Sequence, residues 1–361
     1  MRGRHDRIDP WTALSTFALA SAVLATGVLA TAVLASPAAQ QPAAALPQAL
    51  DAYLTSSVKL DAQARAQLLA GSPVTKLLDS DASKEVAVFG AVWVNAPIER
   101  YLAAVDDIER FESGPSFRAT KKVSSPPRLD DFAKLSLTDE DVNDLKACRV
   151  SQCQVKLAES AIERMRREID WTRPDAKDQA NRLARQLALE YVTEYLKGGN
   201  DTLAVYRDAE RPTFVAKEFE SLIDRLPAVS ESVGSVRRYL LDFPRATLPE
   251  SDSSIYWQDA DFGLKPTIRI NHFVTARNPE GAIVASKMLY ASHYFWTALE
   301  FRVLLRDSAR GNGFWFVTEN RSRSDGLTGF VGRVVRGKVR SGAEKGSQTQ
   351  LQLTKRTMEG R

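Results

Sequence analysis

Val86-Ala87-Val88-Phe89-Gly90-Ala91-Val92-Trp93-Val94 reads as a β-strand, and the residues that follow it decide the fold. Asn95-Ala96-Pro97 makes a turn, because proline fixes its own φ and keeps the preceding residue out of the helical region. Ile98-Glu99-Arg100-Tyr101-Leu102-Ala103-Ala104-Val105 then sets its apolar residues at helical spacing and runs into Asp106-Asp107-Ile108-Glu109-Arg110-Phe111. A second strand is expected over 117–123, after Gly114-Pro115. Ser124-Ser125-Pro126-Pro127 breaks the chain behind it.

Between 129 and 241 the chain turns charged and helical. Leu157, Ala161, Ile162, Met165 and Ile169 recur at helical spacing, and so do Ala180, Leu183, Leu187, Tyr191 and Tyr195, with Gly198-Gly199 as a stop. After Ala246 the apolar period falls from about 3.6 to about 2. Strands are expected over 255–262, 267–276, 283–290, 295–305 and 313–320. Short loops such as Arg277-Asn278-Pro279-Glu280-Gly281 imply antiparallel neighbours. The chain closes on 331–358, where Val331, Val334, Val335, Val339 and Ala343 form an apolar stripe interrupted by Gly332, Gly337, Gly342 and Gly346. A strand and short helix first, an antiparallel ribbon later and a helix last imply an α+β fold. Its curved antiparallel sheet grips a C-terminal helix, and a helical subdomain is inserted over 128–245.

Val92-Trp93-Val94-Asn95-Ala96-Pro97-Ile98-Glu99-Arg100-Tyr101, with its helix opening on Ala-Pro-x-Glu, resembles the START-like helix-grip superfamily. That superfamily includes polyketide cyclase-like proteins, plant pathogenesis-related proteins and START lipid-transfer domains. Asp325-Gly326, before the final segment, is similar to the ends of START domains. The resemblance covers residues 85–122 and 254–358, and 129–241 departs from it. It implies a domain over 85–361 that binds or transfers a lipid-like ligand in a cavity between sheet and helix. A minority of the superfamily are enzymes, and they share no catalytic residue set.

With 361 residues, 44% hydrophobic and 26% charged, the composition is that of a folded protein. A net charge of +4 without a recognition motif does not point to nucleic acid. Arg2, Arg4 and Arg7 precede an uncharged run from Trp11 to Ala35, so residues 1–36 read as a cleaved export signal or as an uncleaved membrane anchor. Residues 37–84 read as a linker with short helices. Either reading of 1–36 places the rest in the periplasm or elsewhere in the cell envelope. Cys148 and Cys153 are the two cysteines, and an oxidising compartment favours a disulfide between them. A redox pair is the sharper alternative, although the spacing is not Cys-x-x-Cys, and no histidine nearby suggests a metal.

Among the late strands, Ile268, Ile270, His272 and Val274 share one face, and Arg269, Asn271, Phe273 and Thr275 the other. Candidate cavity residues are Trp93, His272, Met288, Tyr290, His293, Tyr294, Trp296 and Trp315, with core packing as the plainer role for each. No His-Glu-x-x-His, Gly-x-Ser-x-Gly or phosphate loop is present. No catalytic residue, metal ligand or cofactor is assigned. An enzyme using His272 or His293 with a strand carboxylate stays open, as does a partner-binding module built on the helical insertion. The tail is basic, and Arg333, Arg336, Lys338 and Arg340 are candidate contacts to anionic lipid.

Overall fold

The computed structural model describes residues 45–226, 229–230, 232–261, 265–325 and 329–360, the side chains of 329–335 excepted. The stretch read as a signal or anchor, 1–36, lies outside the described residues. Among those described, no helix is long and apolar enough to cross a membrane.

The chain opens with α1 (Gln48–Ser56), α2 (Ala62–Leu69), β1 (Val74–Leu77), β2 (Glu85–Val94), α3 (Ile98–Asp106), α4 (Ile108–Phe111) and β3 (Phe117–Lys122). A helical region follows: α5 (Asp139–Ala147), α6 (Glu159–Glu168), α7 (Ala176–Gly198), the short strands β4 (Val205–Tyr206) and β5 (Thr213–Phe214), α8 (Val215–Ile223) and α9 (Ser232–Asp242). The ribbon β6 (Ser251–Ala260), β7 (Thr267–Asn278), β8 (Gly281–Ala291), β9 (Phe295–Arg306) and β10 (Phe314–Ser324) leads to α10 (Gly329–Glu359). Eight strands form one antiparallel sheet in the order β1-β2-β10-β9-β8-β7-β6-β3. The early strand β2 therefore pairs with the last strand, Trp93 opposite Trp315, and β3 closes the other flank against β6.

Both faces of this sheet are covered. One face, here the inner, takes α3, α4 and α10: Val92, Val94, Phe314, Phe316 and Leu304 pack against Ile98, Tyr101, Leu102, Leu351 and Met358. The outer face takes α1, α2 and the whole helical insertion. Phe219, Ile223 and Val236 pack on Phe301, Val303 and Trp315, while Ile162, Leu183 and Val192 pack with Trp257, Ile268 and Ile270. Coverage on both sides explains why β2 shows no apolar–polar alternation and is buried at every residue.

The C-terminal helix runs along β2 and also touches β1. Gly90 makes this approach close: a Cβ there would lie 2.7 Å from Thr318 Oγ1 and 2.9 Å from Leu351 Cδ1. Lys355 donates to the Trp93 carbonyl at 2.6 Å, and Arg100 donates to that of Met358 at 2.5 Å, tying the end of α10 to β2 and α3. The glycines do not break α10, and a Cβ at Gly337, Gly342 or Gly346 would meet nothing within 4 Å, so packing does not require them. Each weakens the helix by about 1 kcal/mol relative to alanine.

Candidate functional site

Strand alternation sends Arg302, Glu300, Ser286, Asn271 and Gln258 to the inner face, beneath α3 and α4. Arg302 is 1% exposed, its guanidinium 5.9 Å from the centre of the Phe111 ring. Its Nη2 donates to Glu300 at 2.6 Å and stands 3.9 Å from Glu112, just past the end of α4. Glu112 accepts from Gln258 Nε2 at 3.3 Å, and Gln258 Oε1 accepts from Arg269 at 2.6 Å. Tyr256 and Ser286 hydroxyls meet at 3.0 Å. Tyr101 stands over Phe316, ring centres 5.0 Å apart. Arg302 Nη1, Tyr101 Oη and Asn271 Nδ2 have no hydrogen-bond partner among the described residues.

Electrostatics at this cluster follow from burial. Desolvation, then the charge of Glu300, pushes Glu112 above the usual carboxylate range against the pull of Arg302 and Arg269. Burial opposes the charge on Arg302, but the carboxylates of Glu300 and Glu112 outweigh it and hold the guanidinium protonated. The Tyr101 hydroxyl is pushed up to about 12, mainly by burial, so it remains a neutral donor.

Accessibility changes along the same two strands. In β9, Ala298 and Glu300 are half-buried on the inner face, whereas the outward residues Thr297 and Leu299 are buried. In β10, Asn320, Ser322 and Ser324 are half-buried, while Arg321 and Arg323 are buried on the outer side. The Glu300 side chain is 31% exposed, yet Arg302, two residues deeper, is sealed. The inner face is thus accessible at the Ser324 end of these strands and sealed at the Arg302 cluster, which makes the stretch between them the candidate recess.

The residues singled out from sequence fall in three places. Met288 is on the inner face, and Trp296 sits at a bulge in β9, skipped between the pairs Arg323–Thr297 and Ser324–Phe295. Trp93, Trp315, Tyr290 and His272 project outward into packed layers. Trp93 meets Trp315 edge to face at 5.2 Å, and Tyr290 packs on Tyr191 and Tyr206. His272 Nδ1 lies 2.8 Å from Tyr195 Oη and its Nε2 2.6 Å from Ser253 Oγ, so its partners are hydroxyls. Burial, and then the nearby Lys287, pushes His272 down to about 3, which leaves the ring neutral.

His293 and Tyr294 line a separate cleft of about 950 Å³ between α5, the Cys153–Lys156 segment and the sheet loops. His293 faces the Gln154 carbonyl at 3.1 Å and the Asp141 carboxylate at 2.8 Å. Both ring nitrogens therefore face an oxygen partner. Burial raises Asp141, but hydrogen bonds from His293 and Thr138 outweigh that and hold it below the usual range. The cationic side chains lining the cleft are paired: Lys156 with Asp208 and Asp325, Lys265 with Glu140 and Asp144. A disulfide joins Cys148 to Cys153 at its rim.

Arg336, Lys338 and Arg340 make no ion pair among the described residues, and Lys338 is exposed. The Arg333 side chain lies outside the described residues. Sequence reasoning set Arg269 and Asn271 on one face of their strand with Phe273 and Thr275 but did not single them out, nor did it single out Arg302. Glu112 was also passed over. The available signal was the helix 98–111, which had to cover one face of that sheet.

Together the element order and coverage define an α+β fold of helix-grip type, an antiparallel curved sheet with a C-terminal helix packed on it. Comparison of the chain with family models, curated proteins and solved structures gave no match.

Proposed function

We propose that this protein binds a small, largely apolar molecule in the inner-face recess and exchanges it at an anionic membrane surface outside the cytoplasm, without covalent chemistry. The observation that carries this reading is the accessibility pattern of β9 and β10: half-buried inward, buried outward, with a sealed polar cluster at depth. The strand order, with α3, α4 and α10 on the inner face, supports the START-like resemblance and the ligand carriage it implies. The basic residues Arg336, Lys338 and Arg340, which make no ion pair among the described residues, follow the strand β10 that floors the recess. Each would gain about 1 kcal/mol near anionic head groups.

Catalysis is less well supported. His272 meets only hydroxyls, and both nitrogens of His293 are occupied. A partner-binding insertion is not favoured either. The exposed large hydrophobic residues among those described are Leu129, Phe214, Val339 and Leu353, none of them on α6 or α7. Mass spectrometry of an organic extract from gently purified full-length protein tests the proposal. A lipid-like compound is expected in stoichiometric amount, and Ala298→Trp, which fills the recess, should expel it. An extract identical to buffer, together with no binding from an apolar ligand library, sinks the reading.

A further inference from the structure

The recess has a polar end whose chemistry selects what it holds. Three buried groups at or near its deep end lack partners, and each can donate: Arg302 Nη1, Tyr101 Oη and Asn271 Nδ2. They are 1%, 1% and 3% exposed at the residue level, so bulk water does not serve them. Two of them share a neighbour, because the Arg302 guanidinium and the Tyr101 ring each lie 5.9 Å from the centre of the Phe111 ring. An occupant that satisfies donors must offer acceptors, which disfavours an amine.

Charge narrows the class further. Arg302 already has Glu300 at 2.6 Å and Glu112 at 3.9 Å. A ligand carboxylate arriving at Nη1 would enter beside two acidic groups, and the guanidinium charge it seeks is already neutralised. A neutral acceptor meets the open donors without that repulsion. We infer that the recess selects apolar molecules bearing a neutral carbonyl (a ketone, ester or amide), seated against Arg302 and Tyr101 rather than held by charge. The inference rests on the ligand-binding reading above and names the occupant's polar end.

A set of eight-carbon probes that differ only at that end tests it: octan-2-one, octane, octanoate and octan-2-amine, titrated into the full-length protein by calorimetry. Octan-2-one is expected to bind about tenfold more tightly than each of the other three, the value of one well-made hydrogen bond. Tyr101→Phe keeps the ring on Phe316 and removes only the hydroxyl. It should cut octan-2-one affinity about tenfold and leave octane unchanged. Equal binding of octan-2-one and octane overturns the inference, and so does tighter binding of octanoate or the amine. Either result leaves the recess itself in place. If none of the four binds, the ligand-binding reading fails and the inference falls with it.

Discussion

The two faces of the sheet solve opposite problems with similar residues. On the outer face the buried charges of β2 and β10 are matched, although Trp171 Nε1 and Arg310 Nη1 have no hydrogen-bond partner among the described residues. Glu85 is 0% exposed and takes Arg321 at 2.7 Å and Arg323 at 3.1 Å. Arg321 also reaches Glu319, and Arg323 reaches Glu218 of α8. Tyr53 of α1 donates to Glu319, and Tyr195 is bonded to His272 and Lys287. These contacts stitch α1, α7 and α8 onto the sheet. On the inner face Arg302, Tyr101 and Asn271 are as deeply buried but keep open donors, and the surface beside Glu300 admits solvent. A matched face is a stability device, whereas an unmatched buried donor costs about 1–3 kcal/mol and is tolerated where something else is to be bound.

The largest expected effect breaks the matched side. Arg321→Met leaves Glu85 and Glu319 in a buried site with one fewer cation, and should destabilise the protein by about 3–5 kcal/mol in urea denaturation. A loss below 1 kcal/mol would show that the outer network is not tightly desolvated. Next comes the helix seat on the inner side. Gly90→Val drives its side chain into Thr318 and Leu351, costs about 1–3 kcal/mol and should make α10 the first site of limited proteolysis.

The sharpest contrast is a pair of identical changes. Tyr195→Phe strips a partner from His272 and Lys287 and should cost about 1–3 kcal/mol, whereas Tyr101→Phe removes a hydroxyl with no partner and should shift stability by less than about 0.5 kcal/mol. Equal losses would erase the distinction between the faces.

The smallest effect is in pH. Asp141 is held below the usual carboxylate range, so its contribution is present above the unfolded value near 4 and is lost as pH falls through the folded value. Glu112 is raised, so its contribution is full below the ordinary glutamate value and is lost as pH rises through its folded value. Asp141→Asn should flatten the acid limb of the stability curve, and Glu112→Gln should flatten the fall in stability that sets in above the ordinary glutamate value. Unchanged slopes in either variant would remove that group from the account.

How much was readable in advance differs by element. Thr138 and Asp141, three residues apart, form a capping box that local spacing alone carries, and Cys148–Cys153 is bonded as expected. The extents of β6 and β10 were harder to read. Ser251–Ser254 and Arg321–Ser324 look like loop by composition, yet they are strand, because Arg321 and Arg323 find Glu85 across β2. The short edge strand β1 has no period long enough to detect.

Local chemistry fixed the turn at Asn95-Ala96-Pro97, the helix behind it, the helical middle and the period-two ribbon, because each depends on neighbours within a few residues. Pairing of β2 with β10, the assignment of one face to α3, α4 and α10 and the other to the insertion, and the open donors of Arg302 and Tyr101 came only from the tertiary structure. A strand's two faces are equivalent in its own sequence, and which of them is sealed is settled by segments more than a hundred residues away.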